Sequence, residues 1–142
     1  MQTVRQLLAE KGHVVWSISP DASVYDAVKL MAEKGIGALV VVEQAKSVGL
    51  LSERDYARKV ILMGRSSKET KIREIMTTQV IFADPDQSVQ ECMTIMTEKH
   101  IRHLPVMEDD HLIGVISIGD LVKTIIAEQQ FVISQLEHYI SQ

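Results

Sequence analysis

Apolar positions recur along this chain at two spacings, and the alternation between them predicts its elements. Val24, Ala27, Val28 and Met31 fall three and four apart, the spacing of one helix face. Ser23 stands ahead of them as an N-cap, with Asp26 three residues on in the manner of a capping box, and Gly35 ends the run. Val89, Cys92, Met93 and Met96 repeat the pattern behind Ser88 and Glu91. After each helix come two apolar runs of strand length, ALVVV (38–42) with SVGLL (47–51), and HLPVM (103–107) with LIGVI (112–116). Ser52 and Ser117 then open a second helix, each with an aspartate three residues later. Each unit therefore reads β-α-β-β-α, an α+β fold. After Asp120 the chain runs to its end without glycine or proline. There Leu121, Val122, Ile125, Ile126, Gln129, Val132, Ile133, Leu136, Tyr139 and Ile140 make a helical stripe about six turns long.

The two units are copies. A shift of 65 aligns Pro20 with Pro85, Gly49 with Gly114, Ser52 with Ser117 and Asp55 with Asp120, and gives 14 identities over Pro20–Asp55 without a gap. Ordinary residue usage would give about two or three by chance. Upstream, VRQLL (4–8) matches IREIM (72–76) at a shift of 68, so the first copy carries three extra residues before its proline. The polar stretch GRSSKETK (64–71) reads as a linker. The repeat divides the chain into 1–66, with an N-terminal helix, and 67–142, with an extended C-terminal helix. Neither copy is large enough to bury both faces alone, so the two are expected to pack through their sheets with pseudo-twofold symmetry.

The pattern Pro-x-x-Ser-Val, then RHLPV, then glycine, two aliphatics, Ser-x-x-Asp resembles the CBS domain, named after cystathionine β-synthase. Two copies in tandem resemble the Bateman module in its stand-alone bacterial form. The resemblance implies a regulatory module that binds adenosine nucleotides between its repeats and signals to a partner. It implies a first site of Ser52, Arg54, Asp55, Arg102, His103 and Pro105, with Thr78 and Val80 around the base. It implies a second site of Ser117 and Asp120 with Gly37 and Ala38, edged by Val15, Trp16 and Ser17. AMP is favoured as ligand, with NAD(H), ADP and ATP as alternatives.

The chemistry of the residues agrees. A carboxylate at a helix mouth accepts hydrogen bonds from a ribose diol, and the helix N-terminus favours a phosphate. The same serine and aspartate also cap a helix, and the two roles are compatible. Arg102 and His103 bring positive charge to the first site, whereas Gly37 and Ala38 bring none to the second.

Composition narrows the rest. The chain has 142 residues and a net charge of −4, which argues against generic nucleic-acid or membrane-surface binding. One cysteine allows no internal disulfide. Cys92 reads as core and Trp16 as packing. The five histidines show no metal-ligand spacing, so no metal is expected. No nucleophile, base and oxyanion set is visible, so no catalysis is expected. Cytoplasmic location and a homodimer through the C-terminal stripe are expected. The rival reading is a structural protein–protein adaptor with vestigial pockets.

Overall fold

The computed structural model describes residues 2–141; Met1 and Gln142, the outer ends of the two repeats, lie outside the described residues. The elements are α1 (Val4–Lys11), β1 (Ser17–Ile18), α2 (Val24–Lys34), β2 (Ala38–Glu43), β3 (Lys46–Ser52), α3 (Glu53–Tyr56), α4 (Val89–Lys99), β4 (His103–Glu108), β5 (His111–Ser117) and α5 (Ile118–Ile140). This is the α+β mixture that the spacing predicts. A π-helical turn, Ala57–Ile61, continues α3, and a 3-10 turn spans Ile72–Glu74.

Two compact units result: Val15–Ile81, the first unit, and Met1–Val14 with Phe82–Gln142, the second. In the first, β1 runs parallel to β2, and β2 antiparallel to β3, in the order β1-β2-β3. In the second, β4 and β5 form the antiparallel pair, and the expected leading strand is reduced to a single parallel bridge, Ala83 to Val106. Both hairpins turn on two residues with positive φ, Gln44–Ala45 and Asp109–Asp110, the backbone that matches strand twist. Aspartate tolerates that conformation, whereas Ala45 adopts it against its Cβ.

Packing divides the chain differently from the repeat. The lead-in segment of each copy packs with the other copy's elements. Val4 N–H donates to Gln87 O, and Arg5 N–H to Pro85 O. At the equivalent places Ile72 N–H donates to Ala22 O, and Arg73 N–H to Pro20 O. Arg5 pairs with Asp86 and Glu108, and Arg73 with Asp21 and Glu43. Ile72 and Ile75 join Val24, Ala27, Met31, Leu39, Val41 and Leu51 in the first unit's core. In the second unit Val4, Leu7 and Leu8 are buried, as are Val89, Cys92, Met96, Leu104 and Val106. The burial of Cys92 agrees with its reading as core.

Capping is stronger at the second helices than at the first. Ser23 and Ser88 accept from Asp26 N–H and Glu91 N–H, but neither acid reaches back to the cap backbone. Ser52 with Asp55 and Ser117 with Asp120 form complete reciprocal boxes. α2 ends on Gly35 and α4 on His100, both in the left-handed conformation.

The repeated glycine of β3 and β5 marks where the lead-ins press closest. A Cβ on Gly114 would lie 2.7 Å from Leu8 Cδ2, the end of a flexible side chain. A Cβ on Gly49 would lie 2.8 Å from Met76 Sδ and 2.9 Å from the backbone oxygen of Thr77. Backbone gives way less readily, so Gly49→Ala is predicted to lose about 1–3 kcal/mol, the usual overpacking cost, and Gly114→Ala less. Urea denaturation of the two variants checks the order; equal losses would contradict it.

Candidate functional site

β3 delivers Ser52 to the start of α3. The Ser52 hydroxyl accepts Asp55 N–H at 3.2 Å, and Asp55 Oδ2 accepts Ser52 N–H at 3.0 Å. Thr77 Oγ1 donates to the same carboxylate at 3.3 Å, and Lys59 Nζ lies 3.1 Å from Oδ1. Thr77 is positioned by Leu50, whose N–H and C=O it pairs with at 2.9 Å each. Lys59 also donates to Ile75 O at 2.9 Å. An ionised carboxylate has about four lone-pair sites, and these partners occupy most of them. Asp55 is only 8% exposed.

β5 delivers Ser117 to α5 in the same way. Asp120 Oδ2 accepts Ser117 N–H at 2.8 Å, and Ser117 Oγ accepts Asp120 N–H at 3.2 Å. The cation here comes from elsewhere. Lys11 Nζ, at the end of α1, donates to Asp120 Oδ2 and to Val115 O, each at 2.6 Å. Val115 is the repeat equivalent of Leu50, so the lysine takes the carbonyl that Thr77 N–H takes in the first unit. A full helix, α1, stands where the other copy has a 3-10 turn, and its extra length carries Lys11 to that carbonyl.

His103 joins this second cluster. It pairs in register with Ser117, and Arg102 O accepts Ile118 N–H at 2.8 Å. Burial lowers the His103 pKa, the nearby Lys11 ammonium lowers it further, and Asp120 opposes them. Burial alone would raise the Asp120 pKa. The Lys11 hydrogen bond and the Ser117 amide outweigh that and hold it below the ordinary carboxylate value.

The remaining predicted residues divide between the units. Ala38 pairs with Ser52, and Gly37 O accepts Glu53 N–H at 3.0 Å, so both lie beside the first motif. Ser17 pairs with Val40, and Trp16 O accepts Val40 N–H at 3.2 Å, which puts Val15, Trp16 and Ser17 along the opposite edge of β2 from β3. Trp16 is half-exposed, with Lys34 Nζ 4.3 Å from its ring centre, so it is a surface residue and not core packing. Arg54 follows Ser52 in α3. Pro105 is buried in β4, and its carbonyl accepts Ala83 N–H. Thr78 is exposed and Val80 half-buried; the threonine that reaches Asp55 is their neighbour Thr77. Sequence reasoning missed Thr77, Lys59 and Lys11. Among the described residues no group of three or more His, Cys, Asp or Glu could hold a metal ion, and no helix is long and apolar enough to cross a membrane.

The Lys11 contact has a pH signature. Asp120 is held below its ordinary 3.8, so its contribution to stability is complete above that value and is lost as pH falls through the lower, folded value. His103 is held below its ordinary 6.5. The folded state thus favours the neutral ring, and stability declines as pH falls below about 6.5 toward the depressed value. Lys11→Met is predicted to raise both pKa values and to flatten both declines. NMR titration of His103 and Asp120 in the two proteins checks this; unmoved values would contradict the contact.

Comparison with known proteins gives one answer. The CBS-domain family profile matches residues 5–61 and 72–127. A CBS-domain protein from Burkholderia ambifaria MC40-6 has a similar structure, with a TM-score of 0.87 and 53% identity, over 90% of this chain and 96% of that one. The mitochondrial CBS domain-containing protein CBSX3 of Arabidopsis thaliana is 44% identical over 134 residues, which is 91% of this chain and 65% of that protein, so the match spans just under two thirds of the relative. The CBS domain pair of protein MJ0100, solved in complex with 5′-methylthioadenosine and S-adenosyl-L-methionine, has a TM-score of 0.77 at 25% identity, over 87% of this chain and 99% of that one. With two family matches in tandem on a twice-repeated Gly-φ-φ-Ser-x-x-Asp scaffold (φ aliphatic), this chain belongs to the CBS-domain family.

Proposed function

We propose that the chain is a regulatory module that binds an adenosine-containing ligand and passes its level to a partner protein. The observation that carries this reading is the pair of aspartates held at helix mouths, Asp55 and Asp120, each fixed by a serine amide and kept company by a lysine. A fixed carboxylate accepts ribose hydroxyls on the lone pairs that its internal partners leave open, and the first turn of the helix favours the phosphate. The complexes of the MJ0100 pair with two adenosine compounds support the ligand class. AMP is the first candidate, with NAD(H), ADP and ATP behind it.

In this reading Ser52, Asp55 and Arg54 serve one ligand, with Thr78 and Val80 near its base. Ser117 and Asp120 serve another, with Val15, Trp16, Ser17, Gly37 and Ala38. Arg102, His103 and Pro105 belong to the phosphate side of the first of these ligands, the one that Asp55 serves. Lys11 adds a cation beside Asp120 that a reading by repeat symmetry leaves out. The ligand acts by linkage, favouring whichever conformation it fits best. A homodimer and a regulated partner complete the proposal, together with the repeat boundaries at 66 and 67 and a cytoplasmic setting.

One observation favours a second reading. Both Ser-Asp pairs form complete capping boxes with internal lysine counter-ions. They are structurally satisfied without a ligand, as a protein–protein adaptor with vestigial pockets requires. The two readings separate by thermal shift with AMP, ADP, ATP, NAD(H) and S-adenosylmethionine, followed by calorimetry. Hydrogen bonds to charged groups contribute about 1.5–3 kcal/mol, so Asp55→Ala and Asp120→Ala are each predicted to weaken their ligand about ten- to a hundredfold. Unchanged affinity in folded variants would overturn the ribose assignment, and a panel with no thermal shift would favour the adaptor.

A further inference from the structure

The second motif lacks a charge that the first carries and receives one from outside the repeat. The first reads Ser52-Glu53-Arg54-Asp55 and the second Ser117-Ile118-Gly119-Asp120, so Gly119 stands in the place of Arg54. Lys11 supplies a cation instead, and the helix that carries it fixes its position. α1 opens on a complete capping box at Thr3 and Gln6 and is anchored by the burial of Val4, Leu7 and Leu8. At its end Lys11 Nζ donates to Asp120 Oδ2 and Val115 O, each at 2.6 Å. An ammonium has three donors; these contacts use two, and the third can meet a ligand. The Ser117 amide falls on the same oxygen, Oδ2, and neither bond reaches Oδ1. At Asp55 both oxygens are engaged, Oδ2 by the Ser52 amide and Oδ1 by Thr77 and Lys59. The mouth of α5 is also open. Outside the glycine's chain neighbours and helix backbone, a Cβ on Gly119 would meet only Ser117 Oγ among the described residues, at 3.6 Å.

We propose that Lys11 selects the charge of the ligand that Asp120 serves: with this lysine in place, the site takes an adenosine compound that bears an anion and turns away one that bears a cation. The proposal rests on the adenosine-ligand reading above and adds the charge class and the residue that sets it. Without Lys11, the Asp120 carboxylate would repel a phosphate at the mouth of α5 and attract a sulfonium or an amine. Lys11 cancels that charge at contact distance while leaving Oδ1 for the ribose hydroxyls. What remains is the amide end of a 23-residue helix, which favours an anion. The field of the lysine also reaches past its partner. At His103 it opposes protonation more strongly than Asp120 favours it, so on that side the pair presents net positive charge.

Three compounds that share adenosine and differ in charge test this on the full chain: AMP, an anion; 5′-methylthioadenosine, neutral; and S-adenosylmethionine, a net cation. Binding is read by NMR titration at the Gly119 amide, with the Arg54 amide as the matching reporter of the first motif. In Lys11→Met the preference for AMP over S-adenosylmethionine at Gly119 is expected to fall about tenfold, the Coulomb effect of one lost charge on ligands of opposite sign near a protein surface. Affinity for 5′-methylthioadenosine is expected to change little, the preference read at Arg54 to stay, and Lys11→Arg to keep the parent's preference at both amides. Lys11→Gln, neutral and of different shape, is expected to match Lys11→Met and carries the test if the methionine variant does not fold. An unchanged preference in the neutral variants, or an equal loss for all three compounds, would overturn the charge selection and leave Lys11 a structural contact. Shifts at Arg54 with none at Gly119 in the parent would also overturn it, with the adenosine reading left standing. No shift at either amide with any of the three would overturn that reading itself.

Discussion

Each half of this molecule is completed by a segment that the sequence repeat assigns to the other half, and the rest of the structure depends on that exchange. Arg5 clamps Asp86 and Glu108, and Arg73 clamps Asp21 and Glu43. These ion pairs are exposed and are worth little by themselves. The stabilisation lies beneath them, where Val4, Leu7 and Leu8 in one unit, and Ile72 and Ile75 in the other, are buried almost completely. Fully burying an aliphatic side chain contributes about 1.5–3 kcal/mol, a large share of what holds a domain this small together. Gly49 and Gly114 are the cost of the close fit on the receiving side, since any side chain there meets Met76 or Leu8.

The exchange also places the chemistry. Thr77 reaches Asp55 because the 72–76 segment ends beside β3, and Lys11 reaches Asp120 because α1 ends beside β5. The equivalent carbonyls of Leu50 and Val115 are thus met by a backbone N–H in one unit and an ammonium in the other. Both carboxylates keep a lysine, but it comes from the helix that follows the motif in one unit, Lys59, and from the lead-in helix in the other, Lys11. Two nearly identical motifs thereby take their cation from different directions, and only Lys11 comes near a histidine. His103 sits in that lysine's field and Ala38, its repeat equivalent, has nothing to titrate.

Much of this was legible in the sequence, because much of it is local. The hairpins, the serine caps, the glycine stop at Gly35 and the full length of α5 follow from spacing and residue type. The repeat also predicted that Ser52–Asp55 and Ser117–Asp120 would be built alike. What stayed hidden is non-local. The shift of 68 for the lead-ins, against 65 elsewhere, reads as an insertion and gives no hint of which copy the segment packs with. Lys11 has no lysine at its repeat equivalent, Gln79, and Lys59 none at Thr124, so symmetry could not point to either. Trp16 is an aromatic residue of the kind that fills cores, yet it lies just ahead of the edge strand β1, where its ring meets Lys34.

The exchange can be measured most directly by hydrogen exchange on the full chain carrying Leu8→Ala. Truncating a buried leucine costs about 2–5 kcal/mol, enough to expose which amides open together with that residue. If the lead-in completes the other copy, protection is lost across α4, β4 and β5 while α2, β2 and β3 keep theirs. Loss of protection across α2, β2 and β3, with α4, β4 and β5 unchanged, would show that Leu8 stabilises its own repeat, and would contradict the exchange.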